Sequence, residues 1–367
     1  MTINEFFGLC NKHPWAYVAL LINFGVVFVN GYTDGPSAIA TSVTTRAIKP
    51  RVAFIMCAIF NLLGTLTIGI FSSAISKFAG GDVSQTIANL VSWGNASTDQ
   101  ILCAIACGLA AIVIVSQICT RLGLPSSESN SLIGGITGAG LALIVLGNGG
   151  SIGSGPWIKV VIGFIGSLIV GFLLGFAFVK LIQVICRKMN KAKTTRFFNK
   201  GQIASSALMS YAHGIQDGGK FIGIFILIAA TLISSDSSIN TADAVKSLAG
   251  TLWIYLPVGL VLFTGSAIGG TRILKTIGKG MANLKKYQAF ATDLAAGLGL
   301  ILATFLGLPL STGSIKNTAI MGGGSARSFR RVRWKKAGEV IMWGALAFPI
   351  SALVGFLATL IFIWTVK

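Results

Sequence analysis

The chain has 367 residues, of which 53% are hydrophobic and 11% charged, less than half the roughly 25% charged content of an ordinary soluble domain. That balance excludes a soluble globular fold and points to an all-α integral membrane protein. Several apolar runs reach the about 20 residues a helix needs to cross roughly 30 Å of hydrocarbon, and the short alternating strands of a membrane barrel are absent. The net charge of +19 is no nucleic-acid footprint, because the basic residues gather at Arg46 to Arg51, Arg187 to Lys200, Arg272 to Lys286 and Arg327 to Lys336. Each group lies between apolar runs, as in cytoplasmic loops under the positive-inside bias.

The opening MTINEFFGLCNKHPW lacks the basic region and small-residue cleavage site of a removable signal, so the first apolar segment is expected to stay. The run from Trp15 to Val29 leads into NGYTDGPSAIATSVTTRAIKP, residues 30–50, whose Gly and Pro content predicts a broken helix around Asp34. Val52 to Ile75 predicts a long span, and the weakly charged residues 76–100 an exterior loop. Ile101 to Thr120 returns, GLPSSESN from Gly123 interrupts the apolar sequence, and Leu132 to Leu146 leads out to the uncharged turn NGGSIGSGP. Trp157 to Ile185 then crosses to the basic residues 187–200.

The second half repeats this order with the opposite sense. Ala204 to Ser234 contains HGIQDGGKFIGI, residues 213–224, with Asp217 among glycines, and ends in an exterior-looking loop. Leu248 to Gly269 descends to a basic loop, Tyr287 to Leu306 ascends to GLPLSTGS from Gly307, residues 315–324 descend to Arg327–Lys336, and Ala337 to Val366 ascends last. Asp34 and Asp217 lie 183 positions apart, and Pro125 and Pro309 lie 184 apart. Two unlike motifs sharing one offset mark an internal duplication: a first inverted repeat over 1–186, a basic cytoplasmic linker over 187–200, and a second inverted repeat over 201–367. Both termini are then expected outside.

Inverted-topology repeats with broken helices and re-entrant hairpins meeting near the bilayer midplane are the signature of a secondary transporter. Broken backbone in hydrocarbon costs several kcal/mol per exposed polar group, so such breaks mark a protein-lined or watery site. In each GLP motif a Pro precedes hydroxyls, namely Ser126, Ser127 and Ser129 in one and Ser311, Thr312 and Ser314 in the other, and then a helix. Two helix N-termini with added hydroxyl donors can replace the water around an oxyanion; the plain alternative is N-caps and small-residue packing. Asp34 and Asp217 read as coupling-ion ligands, helped by Thr33, Ser37 or Gln216, because a carboxylate beside an anion needs a cation or proton between them. Their plain alternative is a polar bridge across the helix break.

The six cysteines make no paired loop pattern and no metal set, so packing is expected for them. Lys316 reads as a snorkelling cation. Lys220 and Arg46 stay open between substrate or gate roles and simple anchoring, and His213 between a proton carrier and a buried neutral donor.

These residues resemble the inorganic phosphate transporter (PiT) family of sodium- or proton-coupled symporters. Its duplicated signature runs approximately GxNDxANAIATxVxTRALxP and HGxNDAQKxMGI, with a GLPVSTTH element in each half. Gly31, Asp34, Ala38 to Thr41, Val43, Thr45, Arg46 and Pro50 match the first, and His213, Gly214, Asp217, Lys220 and Gly223 the second. The likeness runs through essentially the whole chain. It departs from the pattern at Thr33, Ser37, Gln216 and Gly219, and in both hydroxyl elements, where Glu128 places a carboxylate among groups meant for an anion.

The resemblance implies a cation-coupled symporter of inorganic phosphate in the cytoplasmic inner membrane, usually homodimeric, with sodium or protons as coupling ion and no other cofactor. The candidate substrate residues are Ser126, Ser127, Ser129, Ser311, Thr312, Gln216 and Lys220. The candidate coupling-ion residues are Asp34, Asp217, Thr33, Ser37 and Glu128, with no metal beyond a sodium at Asp34 and Asp217. The same fold moving another oxyanion such as sulfate, or a non-transporting receptor, are the alternatives. No nucleophile, base and orienting group recur at catalytic spacing, so no enzyme is expected.

Overall fold

An apolar run in lipid must close its own backbone hydrogen bonds, and the helix does so within one segment. The computed structural model describes residues 2–79, 83–122, 127–236, 241–248, 251–270, 274 and 283–365. In chain order these form α1 (Ile3–Lys12), α2 (Trp15–Thr33), α3 (Gly35–Thr44), α4 (Pro50–Ala79), α5 (Val83–Ala88), β1 (Val91–Ser92), α6 (Thr98–Leu122), α7 (Glu128–Val145), β2 (Ser151–Ile152) and α8 (Ser154–Ile185). They continue as α9 (Lys191–Asp236), α10 (Thr241–Leu248), α11 (Leu252–Ile268), α12 (Lys286–Phe305), α13 (Thr312–Ser325) and α14 (Trp334–Phe362). Among the described residues, eight helical segments are long and apolar enough to cross a membrane.

The helix break expected at each acid is a one-residue interruption at Asp34 and is absent at Asp217. At Asp34, α2 passes into α3 with the backbone still helical, φ −90° and ψ −30°. Pro36 follows two residues later, where its missing N–H falls in the first turn of α3 and costs nothing. Around Asp217, α9 runs unbroken over 46 residues. No proline interrupts it, and two of its glycines serve close packing: a Cβ on Gly214 would lie 2.2 Å from the Asn61 carbonyl oxygen of α4, and one on Gly218 2.4 Å from Thr65 Oγ1. The basic stretch 187–200 is largely the first turns of this same helix.

Residues 76–100 also differ from the expected exterior loop. Within them α5 is buried along its whole length, packs on α9, and sends Thr86 Oγ1 to the Gly307 carbonyl at 3.1 Å. Its sequence VSQTIA is apolar enough to bury, and its few polar groups find partners there. Beyond it, β1 pairs antiparallel with β2 through Val91↔Ile152 and Ser92↔Ser151, closing one end of α7. At the other end of α3, Arg46 is exposed with a left-handed φ of 59° and turns the chain out of the helix.

The same interhelical contacts recur at paired positions. Cβ atoms on Gly31 and Gly214 would meet the carbonyl oxygens of Leu262 and Asn61; Cβ atoms on Gly265 and Gly64 would meet those of Phe28 and Tyr211. The α2 and α9 members of these contacts are offset by 183 positions, and the α4 and α11 members by 201. Likewise Gly138 abuts Ala352 O while Gly322 abuts Phe172 O, and Gly355 abuts Gly135 O while Gly175 abuts Ala319 O. Thus α7 packs on α14 and α13 on α8, so each half's short helix lies against the other half's long one. Small residues let these backbones approach where no hydrophobic force separates helix from lipid. The outer faces of α8 and α14 expose Ile162, Ile165, Ile169, Leu353, Leu357 and Ile361.

Gly138→Ala places a methyl 1.9 Å from the Ala352 oxygen and is expected to cost about 1–3 kcal/mol. Gly166→Ala on α8, with nothing within 4 Å of the added carbon, is expected to leave the melting curve of the purified protein unchanged. Equal melting of both variants contradicts the tight α7–α14 contact.

Candidate functional site

Helical spacing on α9 puts His213, Gln216, Asp217 and Lys220 on one face, and all four are essentially buried. Lys220 Nζ spends its three protons on Asp217 Oδ1 at 2.7 Å, Ser129 Oγ at 2.6 Å and the Leu310 carbonyl at 2.5 Å. Asp217 Oδ2 accepts from Asn30 Nδ2 at 3.2 Å and Thr312 Oγ1 at 3.1 Å, with His213 Nε2 3.3 Å away. One carboxylate therefore joins α9 to α2 and α13, and one ammonium joins it to α7 and to the residues entering α13. Asn30 Nδ2 also reaches Asp34 Oδ2 at 3.4 Å. Ligand atoms of Asp34, His213 and Asp217 all fall within 4.8 Å of one another.

The two hydroxyl motifs cap helices and meet. Ser127 caps α7 by accepting from the Asn130 N–H at 3.3 Å, and Ser311 caps α13 by accepting from the Ser314 N–H at 3.3 Å. Their own hydroxyls lie 2.9 Å apart. Each capped N–H is preceded by two more first-turn N–H groups, of Glu128 and Ser129 in α7 and of Thr312 and Gly313 in α13, that have no intrahelical acceptor, so two positive helix ends converge on one place. At that place Gly313 and Ser314 are half-buried, and nothing stands within 4 Å of where a Gly313 Cβ would point.

Glu128 begins α7. Its Oε1 accepts from Ser116 Oγ at 3.0 Å and from Thr33 Oγ1, whereas its Oε2 is buried without a hydrogen-bond partner. Asn30 Oδ1 is a second buried acceptor with no donor. Asp34 is the only one of Asp34, Asp217 and Glu128 that is half-buried rather than fully buried. Unmet acceptors beside an accessible carboxylate fit a small cation or a proton, since a buried oxygen without a partner costs about 1–3 kcal/mol.

Of the expected site residues, Ser127, Ser129, Ser311, Thr312, Lys220 and Asp217 come together at the capped helix ends, and Asp34, Thr33 and Glu128 adjoin them. Ser37 turns its hydroxyl back to the Asp34 carbonyl at 2.6 Å. Gln216 lies beside the helix ends rather than in them, donating to the Leu308 carbonyl at 2.8 Å and accepting from Thr304 Oγ1 at 2.5 Å. Ser126 lies outside the described residues. Lys316 is not a snorkelling cation: it is fully buried and ion-paired with Asp293 of α12.

The sequence reading missed Asp293, Asn30, Asn61 and Ser116. Asp293 carried a signal, a lone acid inside an apolar run. Asn61 Oδ1 accepts from His213 Nδ1–H at 3.0 Å and Asn61 Nδ2 donates to Ser266 Oγ at 2.7 Å, a role no local pattern announces.

The chain is similar to known proteins along most of its length. A family model described as Phosphate transporter family matches residues 30–355. The chain is 32% identical over 333 residues to a "Probable low-affinity inorganic phosphate transporter" of Bacillus subtilis (strain 168), covering 90% of this chain and 92% of that one. A protein of the same description from Mycobacterium tuberculosis (strain ATCC 25618 / H37Rv) is 31% identical over 328 residues, covering 89% and 73%. Among solved structures, "The sodium-dependent phosphate transporter" superposes with a TM-score of 0.78 at 20% identity, covering 96% of this chain and 99% of that chain, and so shares the fold.

Lys220→Met strands the buried Asp217 and is expected to cost about 3–5 kcal/mol in stability. Adding Asp217→Asn to it is expected to recover most of that loss in thermal unfolding. A double variant no more stable than the single one contradicts the pairing.

Proposed function

Because the chain belongs to the phosphate transporter family, we propose that it is a cation-coupled symporter carrying inorganic phosphate across the cytoplasmic membrane. The observation that carries this reading is the 2.9 Å approach of Ser127 and Ser311, the caps of α7 and α13. An oxyanion at these ends would receive backbone N–H groups from both helices, the hydroxyls of Ser129 and Thr312, and the nearby charge of Lys220. Phosphate is the anion because the relatives described as inorganic phosphate transporters match along most of the chain.

The paired offsets of the glycine contacts support two sequence-related halves. With basic residues after α3 in one half and an exterior-looking loop after α9 in the other, the halves run in opposite senses, and both termini lie outside. In such an architecture α7 and α13 are the inner arms of re-entrant hairpins, and the Asp34 and Asp217 helices cross at the same depth.

Charge balance supports coupling. Asp34, Asp217 and Glu128 bring three carboxyls into one low-dielectric cluster, against the single ammonium of Lys220. Asp217 already has Lys220, Asn30 and Thr312 as partners, so the exchangeable cation sits at Asp34 with Asn30 Oδ1 and Glu128 Oε2. A sodium or a proton there screens the acids from the incoming anion and ties its entry to the ion gradient. Sodium is favoured because the solved protein that shares the fold is described as a sodium-dependent phosphate transporter.

Labelled phosphate uptake into proteoliposomes is expected to need an inward sodium or proton gradient and to resist excess sulfate; uptake without a gradient contradicts the coupling. Asp34→Asn is expected to retain phosphate binding but lose the gradient dependence. Gly313→Val adds a branched side chain on the first turn of α13, where nothing stands within 4 Å, and is expected to weaken phosphate binding at least about tenfold, near 1.4 kcal/mol, while the protein still folds. Unchanged affinity contradicts the assignment of the anion to these helix ends.

A further inference from the structure

A second buried polar layer lies away from the helix caps, toward the basic ends of α3 and α9. Thr41 is seven residues beyond Asp34, Ser206 eleven before Asp217, and Lys316 one turn beyond Thr312 on the same face of α13. All three converge on Asp293 of α12. Thr41 Oγ1 lies 2.7 and 2.8 Å from the two carboxylate oxygens, Ser206 Oγ donates to Oδ2 at 2.7 Å, and the Lys316 ammonium pairs with Oδ1. One turn further on, Thr45 Oγ1 donates to Gln202 Oε1 at 2.8 Å, which leaves the fully buried Gln202 Nε2 with no acceptor.

The layer therefore holds donors in surplus: an ammonium, two hydroxyls and a spare amide from three helices, with one carboxylate to receive them. Apolar residues would satisfy a purely structural junction at lower desolvation cost. A cation site would show unmet acceptors, as the cluster at Asp34 does, and here the unmet group is a donor. Converging donors of this kind suit a tetrahedral oxyanion, whose oxygens accept in several directions at once.

We infer that this layer is a second oxyanion station between the cradle and the basic end of the bundle, with the Asp293 carboxylate occupying the anion's place in the closed protein. The inference rests on the phosphate reading above. Phosphate leaving Thr312 meets Lys316 one turn on; Asp293 yields the ammonium and hydroxyls to it and takes them back once it has passed. Lys316 thereby hands the anion onward, and the Asp293 pair seals the way behind it.

Equilibrium dialysis of the purified full chain with labelled inorganic phosphate tests this. Wild type is expected to bind one equivalent, Asp293→Ala two, and Asp293→Ala/Lys316→Met one again. An Asp293→Ala protein that elutes like wild type but binds one equivalent leaves an ordinary buried ion pair only and overturns the station, as does a second equivalent that survives Lys316→Met. If Asp293→Ala does not fold, Asp293→Asn/Lys316→Gln keeps the shape without the charges. It is expected to hold phosphate within about twofold of wild-type affinity while maximal uptake falls at least about tenfold; undiminished maximal uptake overturns the station. A wild type that binds no phosphate fails the transporter reading, and a gain confined to Asp293→Ala then still supports the station; if neither binds, both fall.

Discussion

The ammonium of Lys220 is the interaction on which the site depends. A charged side chain buried in a membrane bundle is costly unless it is fully paired, and here each of its three protons has an acceptor. Those acceptors belong to α9, to the first turn of α7 and to the chain entering α13. The same contact that neutralises Asp217 thus fixes the two capped helix ends relative to one another. In the proposed cradle, hydroxyls and N–H groups brought together this way would need no reorganisation to receive an anion leaving water.

Packing between the halves sets what can move. Because α7 lies on α14 and α13 on α8, neither half closes its own groove, and glycines bring the backbones into contact at Gly138, Gly322, Gly175 and Gly355. Such interfaces behave as units and resist gradual deformation. In the proposed transport cycle, motion that opens the site to one side would move α7 with α14, or α13 with α8, and the polar contacts these pairs make would break and re-form. Ser127 with Ser311 joins the two pairs directly; Lys220 of α9 holds Ser129 of α7, and Asp293 of α12, with Thr41 of α3, holds Lys316 of α13. Each joins groups that, in the proposed cycle, an incoming ion or anion would also satisfy, so the substrate would offset the cost of breaking it.

Much of this was readable from the chain alone. Asp34, Asp217, Ser127 and Ser311 announce themselves because glycine, proline, hydroxyls and acids are out of place in apolar runs, and a shared offset of 183 or 184 positions shows that the oddity was written twice. What local composition could not show was continuity and partnership. The glycines around Asp217 suggested a break, yet two of them exist to admit α4, a fact that depends on residues about 150 positions away. Residues 83–88 looked like loop because they are short and weakly polar, and they are buried because α9 covers them. Lys316 looked like a surface cation because its acid, Asp293, sits 23 positions earlier on another helix. Asn30 and Asn61 are single polar residues in long spans, meaningful only once Asp217 and His213 are placed beside them.

The central claim is that the helix ends capped by Ser127 and Ser311 close on each other to form one anion cradle. With the six native cysteines replaced, Ser127→Cys/Ser311→Cys is the most direct test: oxidation is expected to form a disulfide between the two caps, to be slowed by phosphate, and to stop uptake until a reductant restores it. Free thiols after oxidation in a protein that still transports phosphate would show that the two ends do not meet, and the cradle would have to lie elsewhere.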